Sequence, residues 1–178
     1  MLNKILEDCK KQLCSALIHK KHPFRFFTLA TKKKDGTPKL RTVVLRNFNP
    51  KNFEFVIFSD SRSSKVSELK KFPEAQSLFY DPSRLIQLTI DIKLKAFSNE
   101  PNIYNLLPES SKKDYSSILN PGTIIKNPDE IEYDFSKNYF IKIVFEAEKI
   151  EYLKLKRPNH IRSVYSFKDN WEGKFLAP

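Results

Sequence analysis

From Phe24 onward the apolar residues of this chain fall at every second position in short runs parted by turn-forming clusters. That period belongs to strands with one buried face, and it confines the fold to antiparallel sheet architectures. Phe24 to Ala30 is aromatic and β-branched, Lys34-Asp35-Gly36-Thr37 supplies an Asp-Gly turn, and Lys39 to Asn47 returns as the second strand of a hairpin. A second turn cluster, Asn47 to Asn52, leads into a strand from Phe53 to Phe58, so three strands in meander order are expected by Ser59. Further strands are expected at Ala75 to Tyr80, Leu85 to Phe97, Tyr139 to Leu155, Arg162 to Phe167 and Trp171 to Leu176.

Helices interrupt this pattern in few places. Leu2, Ile5, Leu6, Cys9, Leu13 and Leu17 recur at helical spacing, which predicts an amphipathic helix over residues 2 to 19 with its stripe on a core. Ser63 to Phe72 has a serine cap and a stop at Pro73, and shorter helices are expected at Ile103 to Leu107 and Ser110 to Ile118. A length of 178 residues suits a single domain spanning 1–178. The expectation is a mainly β fold: a small β-barrel of antiparallel strands in meander order with peripheral helices.

Composition limits the setting more than the partner. The two cysteines, Cys9 and Cys14, point in different directions on a helix and suit packing in a reducing compartment rather than zinc or a disulfide. No run approaches the roughly 18 apolar residues of a membrane span, and acidic residues arrive before any leader-like apolar stretch, so a soluble cytoplasmic protein is expected. The net charge of +11 suits an anionic partner, yet lysine is spread along the whole chain beside many Asn, Ile and Phe, so charge alone does not choose one.

The chemistry concentrates in Pro38-Lys39-Leu40-Arg41-Thr42-Val43-Val44-Leu45-Arg46, in Phe58-Ser59, and in Asp60-Ser61-Arg62-Ser63-Ser64-Lys65. Alternation along a strand puts Arg41, Val43 and Leu45 on one face and Thr42, Val44 and Arg46 on the other, so the two arginines have different tasks. A phosphate monoester carries close to two negative charges and three acceptor oxygens. Arg41, Ser59, Ser64 and Lys65, with the free amides of the helix that follows, form a donor set of that kind.

In order and spacing these pieces resemble the pyridoxamine 5'-phosphate oxidase-like family of FMN-binding split barrels. The matching segments are the Asp-Gly turn, Arg41-Thr42-Val43-Val44-Leu45-Arg46, Phe58-Ser59, Ser64-Lys65 before Phe72-Pro73, Arg84-Leu85-Ile86-Gln87-Leu88, and the closing Trp171-Glu172-Gly173-Lys174-Phe175-Leu176-Ala177-Pro178. The resemblance implies that Arg41 and Lys65 hold the FMN phosphate. It implies that Thr42, Val43, Val44, Leu45 and Arg46, with Phe58 and Ser59, line the flavin and its ribityl chain, and that Gln87 hydrogen-bonds the ring edge. It further implies a homodimer with FMN at the subunit interface, Arg162 near the flavin, and His160 and Arg46 near a small-molecule substrate.

Three positions depart from the family pattern. Phe175 stands where an arginine is usual, Tyr104 to Gly122 contains no Arg-Pro-x-x-Ser segment, and Ser64 replaces an arginine, with Arg62 close enough to compensate. The implied activity is FMN-dependent oxidoreduction, with hydride transfer from a small phosphorylated or anionic substrate to flavin N5. A flavin carrier or redox sensor without turnover is the alternative. A basic barrel that stacks bases on Phe is a further reading, opposed by the strand-core spacing of the aromatics and the lack of an RNP-like motif.

Overall fold

The computed structural model describes all 178 residues. The first helix, α1 (Leu2–Ile18), is followed by β1 (Phe26–Lys32), β2 (Pro38–Val44), β3 (Asn47–Asn49), β4 (Glu54–Asp60), α2 (Ser64–Lys71), β5 (Glu74–Asp81) and β6 (Ile86–Ser98). Two short helices, α3 (Pro101–Asn105) and α4 (Glu109–Lys112), precede β7 (Phe140–Lys154), β8 (Ile161–Ser166) and β9 (Gly173–Leu176). All strand pairs are antiparallel. The result is a curled, half-barrel sheet with helices on its rims.

The connectivity is not the expected meander. The strands run β2-β1-β5-β6-β7-β4-β3, with β8 on β7 and β9 on β8. Thus β4 never pairs with β2: it finds its long partner in β7, from Glu54↔Glu146 to Asp60↔Phe140, and α2 then carries the chain across to β5 beside β1. Alternation and turn residues select strands and hairpins, but which buried face a strand seeks is a long-range choice. The expected second strand also breaks after Val44, and Asn47–Asn49 turns back as a separate strand against β4. The sheet curls until its two ends meet, where the Leu45 amide donates to the Arg25 carbonyl and the Arg46 amide donates to the Val56 carbonyl, each at 2.9 Å.

The core fills the concave side of this curl. Phe27 stacks on Phe79 at 4.5 Å between ring centroids, with Phe24, Phe55 and Phe145 around them. Eight of the 15 phenylalanines are buried. On α1, Leu6, Cys9, Leu13 and Ala16 form the buried stripe, and the Arg25 guanidinium donates to the last carbonyls of that helix, Ala16 O and Leu17 O. Both cysteines are free, and burial pushes the Cys9 thiol up to about 12, the state of a packing residue. No helix is long and apolar enough to cross a membrane.

A second, smaller cluster of Tyr104, Tyr115 and Phe140 packs against Phe58 and anchors the middle segment to the sheet. The expected helices there are shorter than their periodicity implies, ending at Asn105 and Lys112 with a 3-10 turn at Lys113–Tyr115. At the C-terminus Asn170 and Trp171 adopt positive φ angles of 50° and 63°, so the last strand begins at Gly173 rather than at Trp171. That detour lays the Trp171 ring on Phe53 at 4.3 Å.

Gly173 sits over the fully buried Tyr165, whose hydroxyl donates to the Leu2 carbonyl at 2.9 Å. A Cβ there would lie 2.5 Å from Tyr165 Cε1 and 3.0 Å from Leu2 Cβ. Gly173→Ala is therefore expected to cost about 1–3 kcal/mol of stability by overpacking, read as a lowered midpoint in urea denaturation. An unchanged midpoint would show that this contact relaxes freely.

Candidate functional site

A cleft of about 700 Å³ opens where the curl brings β2 against β4 and α2. This volume suits a cofactor-sized ligand. Its walls come from Lys39, Arg41, Thr42, Val43, Val44 and Arg46 on and after β2, and from Phe58, Ser59, Asp60, Ser63, Ser64 and Lys65 around the end of β4 and the start of α2. Asp114, Tyr115, Pro121 and Gly122 of the middle segment complete it. Because β2 is an edge strand paired only with β1, one side of its backbone is left open to the cleft.

At the mouth of α2 the polar groups are laid out around Lys65. Its ammonium donates to Ser59 Oγ at 2.9 Å and to Ser63 Oγ at 3.2 Å, and these two hydroxyls are 3.0 Å apart. No carboxylate lies within ion-pair distance of it. Burial, reinforced by the Arg41 charge, lowers the Lys65 pKa below the ordinary 10.5. Ser63 is the N-cap residue, as its sequence position implies, but its hydroxyl makes no capping bond and is turned to Lys65 instead. The first-turn amides of Ser64 and Lys65 are thereby left without a partner in the fold.

Arg41 is set one layer deeper. Its guanidinium donates to Glu68 Oε2 of α2 at 2.8 Å and to the Thr31 hydroxyl of β1, while Thr31 also donates to Glu68 Oε2 at 2.5 Å. Glu68 is buried. These bonds occupy part of the arginine's donor fork, which has five N–H groups, and the rest face the cleft. Lys39, two residues earlier on the same strand face, donates to Ser64 Oγ at 2.8 Å and reaches Glu68 Oε1 only at 4.0 Å.

Arg46 borders the other part of the cleft. Its guanidinium lies 5.4 Å over the Phe58 ring and forms no ion pair. Beside it is Tyr115, whose phenol is pushed up by burial. A cation on an aromatic ring next to a phenol can receive the anionic group of a small molecule.

Other expected residues lie elsewhere. Leu45 is fully buried in the core, so its side chain does not line the cleft. Gln87 is on the outer sheet face, bonded to Thr89 Oγ1 at 3.2 Å in a separate depression with Thr28, Leu40 and Leu78. Arg162 on β8 pairs with Glu151 at 2.7 Å, and His160 accepts from the Lys156 amide at 3.1 Å, both outside this chain's cleft. Arg62 does not take the place of the missing arginine at position 64. It forks onto the buried Asp60 at 2.6 and 3.0 Å, donates to the Ser117 carbonyl at 2.9 Å and stacks 3.4 Å over Tyr139. Its work is to tie the middle segment to the cleft wall.

The sequence places Lys39, Asp60 and Ser63 inside the key stretches without assigning them to the site, and gives no sign of the wall from Asp114 to Gly122. The alternation that singled out Arg41 pointed equally to Lys39. The middle segment carried no such signal, since its contact with the sheet depends on the separated aromatics Tyr104, Tyr115 and Phe140.

Residues 6–97, more than half of the chain, match the family described as the pyridoxamine 5'-phosphate oxidase FMN-binding domain. The chain belongs to that family, and FMN is the cofactor of the domain. The pyridoxine/pyridoxamine 5'-phosphate oxidase of Aliarcobacter butzleri is 29% identical over 173 residues, covering 85% of this chain and 79% of that protein. The enzyme of the same name from Legionella pneumophila is 26% identical over 119 residues, 67% of this chain and 54% of its own length. Among solved structures, a pyridoxamine 5'-phosphate oxidase-related FMN binding protein from Nostoc punctiforme covers 96% of each chain with a TM-score of 0.74 and 21% identity. PhzG from Burkholderia lata, solved with tetrahydrophenazine-1-carboxylic acid, gives a TM-score of 0.75 over 96% of this chain and 90% of its own at 16% identity. These two establish the split-barrel fold.

The residues present fit FMN on chemical grounds. An unpaired ammonium, two unpartnered helix-start amides and three serine hydroxyls converge on one end of an elongated cleft, which is the donor set a phosphate monoester takes. Removing Glu68 is expected to unfold this end: Glu68→Ala strands the largely buried Arg41 charge and should cost about 3 kcal/mol. Urea denaturation of the apo protein measures this, and a loss well under 1 kcal/mol would mean that solvent already compensates Arg41.

Proposed function

We propose that this protein is an FMN-dependent oxidoreductase acting on a small anionic substrate, with a cofactor site shared between two chains of a homodimer. The observation that carries the reading is the cleft itself, in which an unpaired Lys65 at a helix start and an unpaired Arg46 over Phe58 border one cavity. Arg41, Ser59, Ser64 and Lys65 grip the phosphate, Thr42 to Val44 and the Leu45 backbone run along the flavin and its ribityl chain, and Phe58 packs beside them. Arg46 orients the substrate's anionic group. Bound FMN would supply the redox chemistry, accepting a hydride's two electrons from the substrate at N5 for onward transfer to dioxygen or another acceptor. With that chemistry supplied by the cofactor, the protein's own residues have to bind, orient and exclude water.

The placement of Gln87, His160 and Arg162 supports the dimer. All three lie outside their own chain's cleft, and Gln87 sits on an outer sheet face where Leu40, Leu78 and Tyr80 are 63%, 37% and 45% exposed. An apolar face of that kind on a sheet suits a second copy. In such a dimer, Gln87 would hold the edge of the partner's flavin, with Arg162 near its ring and His160 near its substrate.

Purified protein should be yellow, and Arg41→Ala combined with Lys65→Ala should abolish FMN binding as read by flavin fluorescence. A variant that keeps its flavin would overturn the phosphate assignment. Reoxidation assays with candidate amines and alcohols test turnover; tight flavin binding with no turnover on any of them would make the protein a flavin carrier.

Affinity should also follow pH on both sides. The FMN phosphate gains its second charge through about pH 6, so binding tightens there. Lys65 titrates below 10.5 because burial and the neighbouring Arg41 and Lys39 outweigh Asp60 and Glu68. Affinity should thus fall again as pH rises through the lowered Lys65 pKa, with a proton taken up on binding in that range. Calorimetry in buffers of different ionisation enthalpy measures that proton; none taken up would exclude Lys65 from the phosphate.

A further inference from the structure

The charges at the mouth of α2 do not balance without a ligand. Asp60 is neutralised by its bidentate Arg62, and Glu68 by Arg41 at 2.8 Å. Two ammonium groups are then left over. Lys65 has only hydroxyl partners, and Lys39 donates to Ser64 Oγ at 2.8 Å while standing 4.0 Å from a Glu68 already engaged. Asp114, on the opposite wall of the same cleft, is solvent-exposed and forms no ion pair. The local surplus is two positive charges, facing two unpartnered amides. A phosphate monoester near neutral pH carries close to two negative charges.

We infer that Lys39 is a cofactor-binding residue, the second cation that matches the dianionic phosphate, working as a pair with Lys65 across Ser64. This rests on the proposed phosphate grip and adds to it a residue from the edge strand. Lys65 is fixed by two serines inside the cleft, whereas the Lys39 side chain is 46% exposed and reaches in from the rim. One cation is therefore preset, and the other closes on the phosphate from outside. Ser64, held between strand and helix, aligns the lysine head with the helix-start amides. The device selects for the doubly charged phosphate, because a neutral alcohol at that position leaves both ammonium groups unmatched.

The test uses the full chain stripped of flavin and measures dissociation constants for FMN and for riboflavin, which lacks the phosphate. Lys39→Ala should weaken FMN by about tenfold or more, the scale of one charge-assisted hydrogen bond, while riboflavin binding stays the same. Lys39→Arg should restore most of the loss. Wild type should lose more FMN affinity with added salt than Lys39→Ala does, since one fewer ionic contact is screened.

If Lys39→Ala binds FMN as tightly as wild type while Lys65→Ala does not, the inference about Lys39 is wrong and the phosphate grip stands. If neither variant changes FMN affinity, the phosphate lies elsewhere and both readings fall. Equal weakening of FMN and riboflavin would also overturn the inference, by showing a general disturbance of the cleft. The exposed position of Lys39 makes misfolding separable from binding, and an unchanged urea midpoint checks it.

Discussion

The buried contact of Arg41 with Glu68 and Thr31 is the point on which the functional end of this molecule depends. It joins β2, α2 and β1, three elements from separate stretches of sequence, through one guanidinium, one carboxylate and one hydroxyl. Burying a charge is costly unless it is paired and hydrogen-bonded. Here each member satisfies the others, and no buried side-chain nitrogen or oxygen in the protein is left without a partner. The pairing also removes one charge of each sign from the count. The net charge left to meet a ligand is then carried by the lysines, while Arg41 keeps its remaining N–H donors for the cleft.

A second joint of the same kind shapes the opposite wall. Arg62 combines a bidentate bond to Asp60 with a bond to Ser117 O and a stacking contact on Tyr139. It ties the weakly patterned middle segment to the end of β4, and so holds Tyr115 beside Arg46. The cleft therefore has one rigid border built from strands and a helix, and one border built from a segment held at its aromatic anchors. Family membership accounts for the first border, since the matched residues 6–97 contain it entirely. The second border, from Asp114 to Gly122, lies beyond that match.

Much of the fold was legible. The 3.6-residue period of α1, the Asp-Gly hairpin, the Ser63 to Pro73 helix and the long strands β6 and β7 all stand where local patterning puts them, because burial of one face imposes its period on the sequence. The boundary errors fall where tertiary contacts intervene. β2 stops at Val44 because its continuation bends to close the curl against Arg25 and Val56, and the last strand starts late because Trp171 is diverted onto Phe53. The cleft was legible through Arg41, Ser59, Ser64 and Lys65, whose residue types announce phosphate chemistry.

The sequence by itself determined eight of the nine strands, the helical stripe on α1, and the cationic and hydroxyl residues that line the cleft, since each follows from side-chain period or residue type within a few neighbours. Only the tertiary structure decided that β4 pairs with β7 and not with β2, that Arg62 serves Asp60 and Ser117, that Leu45 belongs to the core, and that Lys39 meets Ser64. Those outcomes depend on which surfaces come together across the curl. Such contacts join positions tens of residues apart and leave no periodic trace in the chain.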